Sequence, residues 1–276
     1  MTIFIVGLGL IGSSIALGLK TKDHVIYGYD SDHEVMEKAK KLGVVHEDSC
    51  LEKISASDIL ILALYPKDNI SFIQSHKDLL KPGLLLTDVS GTKSFMMQEI
   101  EKLIPNTISY TSMHPMAGKE TSGFKSRSAH LFNHANLMIV KGSKSLAQDE
   151  SHLRSIANDL NFGKIIVTDA YTHDRLVSFT SQLTHILAVC LMHADHETKT
   201  KEATGDSFRD LTRIAKINEA MWSELFLENK DILLETIARF ESEILTIKRM
   251  ISTEDQQALK EYLRQAKEKR KSFDVH

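Results

Sequence analysis

Short apolar runs separated by turns and amphipathic stretches recur along the front of the chain, at residues 3–6, 25–29, 59–64, 84–87, 108–113, 137–140 and 165–167. Runs of that length predict buried strands, and their alternation with amphipathic segments predicts a parallel sheet covered by helices. Beyond Thr168 the period changes to that of helices. Leu176, Val177, Leu183, Ile186, Leu187 and Leu191 recur at helical spacing behind Thr172, read here as the N-cap. A second long amphipathic run carries Leu225, Ile232, Leu233, Ile237, Phe240, Ile244, Leu245 and Ile251. The capping-box pattern Thr253-Glu-Asp-Gln256 then predicts the start of a last helix through Ala258, Leu259, Tyr262, Leu263 and Ala266, ending in a solvated basic tail. Glycine and proline follow the same division: all four prolines and twelve of the thirteen glycines fall at or before Gly163. We therefore expect an α/β domain over residues 1–168 and an all-α domain over 169–276.

Composition narrows the function classes. With 42% hydrophobic and 26% charged residues the chain has material for real cores, which excludes disorder. A net charge of −3 gives no general attraction for nucleic acid or anionic lipid, so an anionic substrate needs a local basic site. Two distant cysteines, Cys50 and Cys190, form neither a disulfide framework nor a paired metal-ligand spacing, and no metal is expected. The N-terminal apolar stretch is too short for a signal segment, and no apolar run approaches the roughly 18 residues a membrane span requires. The expected location is the cytoplasm.

The segment Gly7-Leu8-Gly9-Leu10-Ile11-Gly12 follows the first strand and opens an apolar helix, the context a G-x-G-x-x-G phosphate turn requires. Gly7 permits the tight turn, Gly9 admits a pyrophosphate to the backbone, and Gly12 lets helix and strand pack closely. The helix N-terminus offers unpaired N–H groups to the anion. Asp30 ends the second apolar run at the spacing of a ribose-binding carboxylate. It would repel a 2′-phosphate, so NAD is expected over NADP, in a Rossmann domain.

Polar clusters after the fourth and fifth strands, Asp88-Val-Ser90-Gly91-Thr92-Lys93 and His114-Pro-Met-Ala-Gly118-Lys-Glu120, occupy the strand ends where ligands sit. Pro115 biases His114 toward an extended backbone facing the crevice. In the helical part, Ser181 and His185 lie one turn apart behind His173 and Asp174. Asp210 and Arg213 share a helical face, and Trp222 is either a pocket wall or an ordinary core aromatic.

Taken together these motifs resemble the prephenate dehydrogenase family, which includes arogenate and cyclohexadienyl dehydrogenases. The motifs run in family order from Gly7 to Trp222: the glycine turn, Thr87-Asp-Val-Ser-Gly-Thr-Lys93, His114-Pro-Met-Ala-Gly-Lys-Glu120, His173-Asp174, Ser181-Gln-Leu-Thr-His185 and Phe208-Arg-Asp-Leu-Thr-Arg213. The resemblance implies NAD-dependent oxidative decarboxylation of prephenate to 4-hydroxyphenylpyruvate, in tyrosine biosynthesis. It assigns His114 as general base with Ser90 beside it, and Arg213 as the grip on the ring carboxylate. His185 falls near the pyruvyl side chain, Glu120 at the substrate entrance, and His173, Ser181 and Asp210 around the pocket. Residues Gly7 to Gly12, Asp30 and Thr92 go with the cofactor. It further implies a homodimer through the helical domain.

Two departures stand out. Gly91 occupies the place of a family serine that helps bind substrate hydroxyl and histidine, leaving Ser90 or Thr92 to compensate. Thr184 replaces a proline before His185, which is expected to straighten that helix. Arogenate dehydrogenase is the nearest rival, with His185 and Gln182 as arbiters; a catalytically silent NAD-binding sensor is the rival of another class. The chain ends soon after the last helix, so weak or active-site-only feedback by tyrosine is expected.

Overall fold

The computed structural model describes residues 1–118 and 121–274. All seven expected strands form: β1 (Thr2–Val6), β2 (Val25–Tyr29), β3 (Ile59–Leu62), β4 (Leu85–Asp88), β5 (Ser109–Pro115), β6 (Leu137–Lys141) and β7 (Ile165–Asp169). They make one sheet of order β2-β1-β3-β4-β5-β6-β7. Helices α1 (Leu10–Lys20), α2 (His33–Lys41), α3 (Pro66–His76), α4 (Ser94–Leu103) and α5 (Ala147–Asp159) alternate with them. Apolar clusters flank the sheet: Ile3, Ile5, Ile15 and Leu19 belong to one, and Phe4, Val6, Ile73 and Ile100 to the other. This is the doubly covered α/β layer expected of a Rossmann domain.

The sheet is mixed rather than wholly parallel. β6 runs antiparallel to β5, with His114 opposite Met138. A parallel crossover is usually carried by a helix. The described part of the link from β5 to β6 carries only the short 3₁₀ turn Phe124–Ser126. Nor are all strands buried: the edge strand β7 is half-buried at best.

After β7 the chain is helical: α6 (Ala170–Val177), a π-helical turn (Ser178–Gln182), α7 (Leu183–His193), α8 (Thr200–Ala203), α9 (Asp206–Thr212) and α10 (Glu219–Glu228). These helices belong to the same compact unit as the sheet, Met1–Asn229. The second unit, Lys230–His276, contains α11 (Lys230–Ser252) and α12 (Gln256–Lys271), joined by a hydrogen bond from the Tyr262 hydroxyl to Glu243, 2.6 Å.

Several expected boundaries move because a better acceptor lies nearby. Asp169, not Thr172, caps α6, accepting from the Thr172 N–H at 2.9 Å and its hydroxyl at 2.7 Å. Asp255 caps α12 by accepting from the Ala258 N–H, while the Thr253 hydroxyl donates back to the Arg249 carbonyl. The apolar run from Leu225 to Ile251 is two helices, parted at Asn229. With Thr184 in place of the proline, the helix still departs from regular α geometry, in the π turn immediately before Leu183.

Among the described residues one helix, Ala170–His193, is long and apolar enough to cross a membrane by length and composition, with a mean hydropathy of 1.3. Its longest uninterrupted apolar run is seven residues, 186–192, so no apolar run there reaches the expected span length.

The turn at Gly12 is fully committed to packing. A Cβ there would stand 1.9 Å from the Gly7 carbonyl oxygen, whereas one on Gly9 would meet nothing within 4 Å. Gly12→Ala is therefore expected to lower stability by about 1–3 kcal/mol, and Gly9→Ala by less than about 1 kcal/mol. Thermal denaturation of the two variants checks the contrast.

Candidate active site

The sheet order reverses at β1, so a crevice opens beyond the carboxyl ends of β1 and β3. Gly7 enters the turn at φ +89°, and its N–H donates to the Tyr29 carbonyl at 2.8 Å. The first turn of α1 has no side-chain cap and no acidic residue, leaving the N–H groups of Leu10, Ile11 and Gly12 for an anion. Half-buried Asp30 accepts from the Leu8 N–H at 2.8 Å and the Asp32 N–H at 3.0 Å, so its carboxylate is fixed at the end of β2 with lone pairs remaining. Leu8 itself is buried in the core and spends its N–H on Asp30; it shapes the turn and offers a ligand little. An uncapped helix start, an open Gly9 and a held carboxylate fit a dinucleotide.

His114 lies near the end of β5, half-buried. Its Nδ1 is 2.8 Å from Nε2 of His173, and Nδ1 of His173 is 2.8 Å from Asp174 Oδ1. Asp174 also accepts from the N–H groups of Lys93 (2.9 Å) and Ser94 (2.8 Å), closing the start of α4. Burial drives the His114 pKa well below that of a free imidazole, and His173 and Lys93 add to the effect, so the ring is neutral near pH 7. His173, expected around the substrate, is fully buried with both ring nitrogens engaged, and it stands behind His114 rather than in the pocket.

Beneath this chain sits a buried ion pair. Lys93 Nζ donates to Asp88 Oδ1 and to the Met113 carbonyl, each at 2.7 Å, and the hydroxyls of Tyr110 and Ser112 donate to the other Asp88 oxygen. Burial opposes the Asp88 charge, but Lys93 and the two hydroxyls hold its pKa below the usual carboxylate value. Asp88 and Lys93 were visible in sequence as a cluster at a strand end. Tyr110 gave no signal, being one apolar-run residue among others.

Ser90 is not where a catalytic partner of His114 would be. Its hydroxyl donates to Met96 Sδ and accepts from Asn69 Nδ2, inside the fold. Thr92 turns its hydroxyl to Glu228 on α10. The space at Gly91 is taken by Leu225, whose methyls would lie 3.2 and 3.3 Å from a Cβ at that position.

On the helical side, Nδ1 of His185 donates to the Ser181 carbonyl at 2.8 Å, and its ring stacks on Trp222 with centroids 3.8 Å apart. Burial lowers the His185 pKa against the pull of that carbonyl, and Arg213 is close enough to lower it further. Ser181, His185, Trp222 and Arg213 thus form a second group: Ser181 and His185 lie on the same helix, Ala170–His193, that holds His173, while Trp222 comes from α10 and Arg213 from the turn after α9. Asp210 stays exposed on α9, while Arg213 already belongs to the next 3₁₀ turn. Gln182, expected as an arbiter of specificity, is buried and structural: it donates to the Leu225 carbonyl and accepts from Asn229. Glu120 lies outside the described residues. Sequence reasoning missed Glu228 and Glu224, which sit one turn apart on α10; Glu224 accepts from the Lys67 N–H at 2.8 Å, at the start of α3.

Two family models match the chain: prephenate dehydrogenase, nucleotide-binding domain, over residues 15–162, and prephenate dehydrogenase, dimerization domain, over residues 169–265. The chain is 33% identical to a prephenate dehydrogenase of Lactococcus lactis, over 99% of this chain and 78% of that protein. It is 31% identical to one of Bacillus subtilis, over 98% of this chain and 75% of that protein. Among solved structures, prephenate dehydrogenase from A. aeolicus in complex with hydroxyphenyl propionate and NAD+ matches with a TM-score of 0.88 at 26% identity, covering 99% of this chain and 98% of that one.

One titration should be measurable. Burial pushes the Glu228 carboxyl up to about 7, with Glu224 alongside. Because the folded value lies above the unfolded one, its contribution to stability is complete below about pH 4.5 and is lost as pH rises through about 7. Glu228→Gln keeps an oxygen for Thr92 and does not titrate. The melting temperature of the native protein, relative to this variant, should fall between pH 5 and pH 8; a constant difference would mean an ordinary carboxyl.

Proposed function

The chain belongs to the prephenate dehydrogenase family, and on that footing we propose that it converts prephenate to 4-hydroxyphenylpyruvate, with His114 accepting the ring hydroxyl proton. The observation that carries this reading is the state of His114: a desolvated, neutral imidazole at a strand end, tied through Nδ1 and therefore free to be basic at Nε2. NAD, the cofactor of this family of oxidoreductases, supplies the hydride acceptor when bound to the Gly7–Gly12 turn.

The chain's own residues account for the remaining tasks. Asp30 holds the adenosine ribose hydroxyls and disfavours a phosphorylated ribose. His114 removes the hydroxyl proton so that positive charge does not build on the ring carbon losing hydride. Arg213 grips the ring carboxylate through a planar guanidinium until that group leaves as carbon dioxide. His185, braced by Trp222, meets the side chain of the substrate.

In the assembly we infer, residues 1–168 bind the cofactor and 169–276 carry the dimer interface. Exposed Leu234, Leu245 and Ile251 on α11 and Leu263 on α12 are the apolar positions such an interface would cover. Cys50 and Cys190 are free and exposed, in keeping with the reducing cytoplasm.

One observation favours arogenate as an alternative substrate. His185 spends its Nδ1 proton on the Ser181 carbonyl, so the neutral ring offers Nε2 as an acceptor, which suits an ammonium better than a keto oxygen. The test is kcat/KM for NADH formation with prephenate and with arogenate. Faster turnover of arogenate would move the assignment, and no NADH from either would end it. His114→Asn is expected to cut kcat by about 10²–10⁴ with little change in NAD binding. Arg213→Ala should act chiefly on KM, since the carboxylate is present in the ground state; steady-state kinetics separate the two effects.

A further inference from the structure

We infer that His173 is a positioning residue that decides which nitrogen of His114 is basic, by serving as an obligatory acceptor for its Nδ1 proton. The inference rests on the reading of His114 as the general base.

It follows from the order of donors in the buried chain. Asp174 accepts at both oxygens, from the Lys93 and Ser94 N–H groups, and is ionised: His173 and the Ser94 N–H outweigh its burial and keep its pKa low. A carboxylate cannot donate, so the 2.8 Å contact requires the His173 proton on Nδ1. The neutral His173 ring then has only a lone pair at Nε2. His114 Nδ1, 2.8 Å away, must be the donor, which leaves the His114 lone pair on Nε2. A doubly protonated His173 would reverse the last bond and put the proton on His114 Nε2, abolishing the base. Burial and the nearby Lys93 ammonium oppose that form. His173 is fully buried.

The same arrangement serves the step itself. As His114 Nε2 gains the substrate proton, its Nδ1–H becomes a cationic donor, and its bond to His173 strengthens. The His173–Asp174 pair behind it stabilises the new charge without either group leaving its place.

Two variants separate orientation from mere filling of space. His173→Phe keeps the ring volume and removes the acceptor; His173→Gln keeps an acceptor near the Nε2 position and cannot be protonated. NMR of isotopically labelled histidine nitrogens, assigned with His114→Asn, should find His114 protonated on Nδ1 in the native protein and in His173→Gln, and mixed in His173→Phe. In steady-state kinetics His173→Phe should lose about 10²–10⁴-fold in kcat. Its KM values should stay within about threefold, and His173→Gln should recover kcat to within about tenfold of native. A native His114 protonated on Nε2, or equal kcat in the Phe and Gln variants, would overturn the inference. If the NMR result holds while His114→Asn keeps full turnover, the base assignment fails and the proton placement stands.

Discussion

One buried carboxylate carries much of the site. Asp174 lies at the start of the first helix after the sheet, yet it closes the N-terminus of α4 and orients His173. A charge taken out of water is tolerable only when its lone pairs are filled. Here the three donors that fill them come from two different parts of the chain, so the helical segment and the β4–α4 loop share a single solution to the same problem. The backbone of that segment is held as well, since Asn229 donates to the Asp174 carbonyl.

Much of this was legible in the sequence. The seven apolar runs are strands, the glycine turn lies between β1 and α1, and His114 falls near the end of β5, because strand burial and turn conformation are local demands that leave local marks. What could not be read depends on partners distant in sequence. The antiparallel placement of β6 leaves no mark in its apolar run. Asp169 and Asp255 displaced the expected caps by offering carboxylates where hydroxyls had been favoured. The retreat of His173 behind His114, the structural role of Gln182 and the inward turn of Ser90 each depend on contacts that no spacing rule encodes.

The departure at Gly91 is compensated in volume rather than in chemistry. Leu225 fills the room a side chain would have taken, and Thr92 is bound to Glu228, so neither neighbour presents a hydroxyl to His114 by a hydrogen bond. In this chain His114 is supported from the helical side, through His173, and the loop after β4 contributes a buried cation instead.

The π turn at Ser178–Gln182 divides one continuous helix, with His173 before it and His185 after it. Each residue of a regular helix advances the phase by about 100°. The wide turn therefore acts as a phase adjuster: gaining or losing a single position there would rotate the half that carries His185 relative to the half that carries His173, while leaving the sheet untouched. In the function we propose, a lineage could retune which molecule the pocket accepts by that one-residue step, without redesigning the proton-handling machinery.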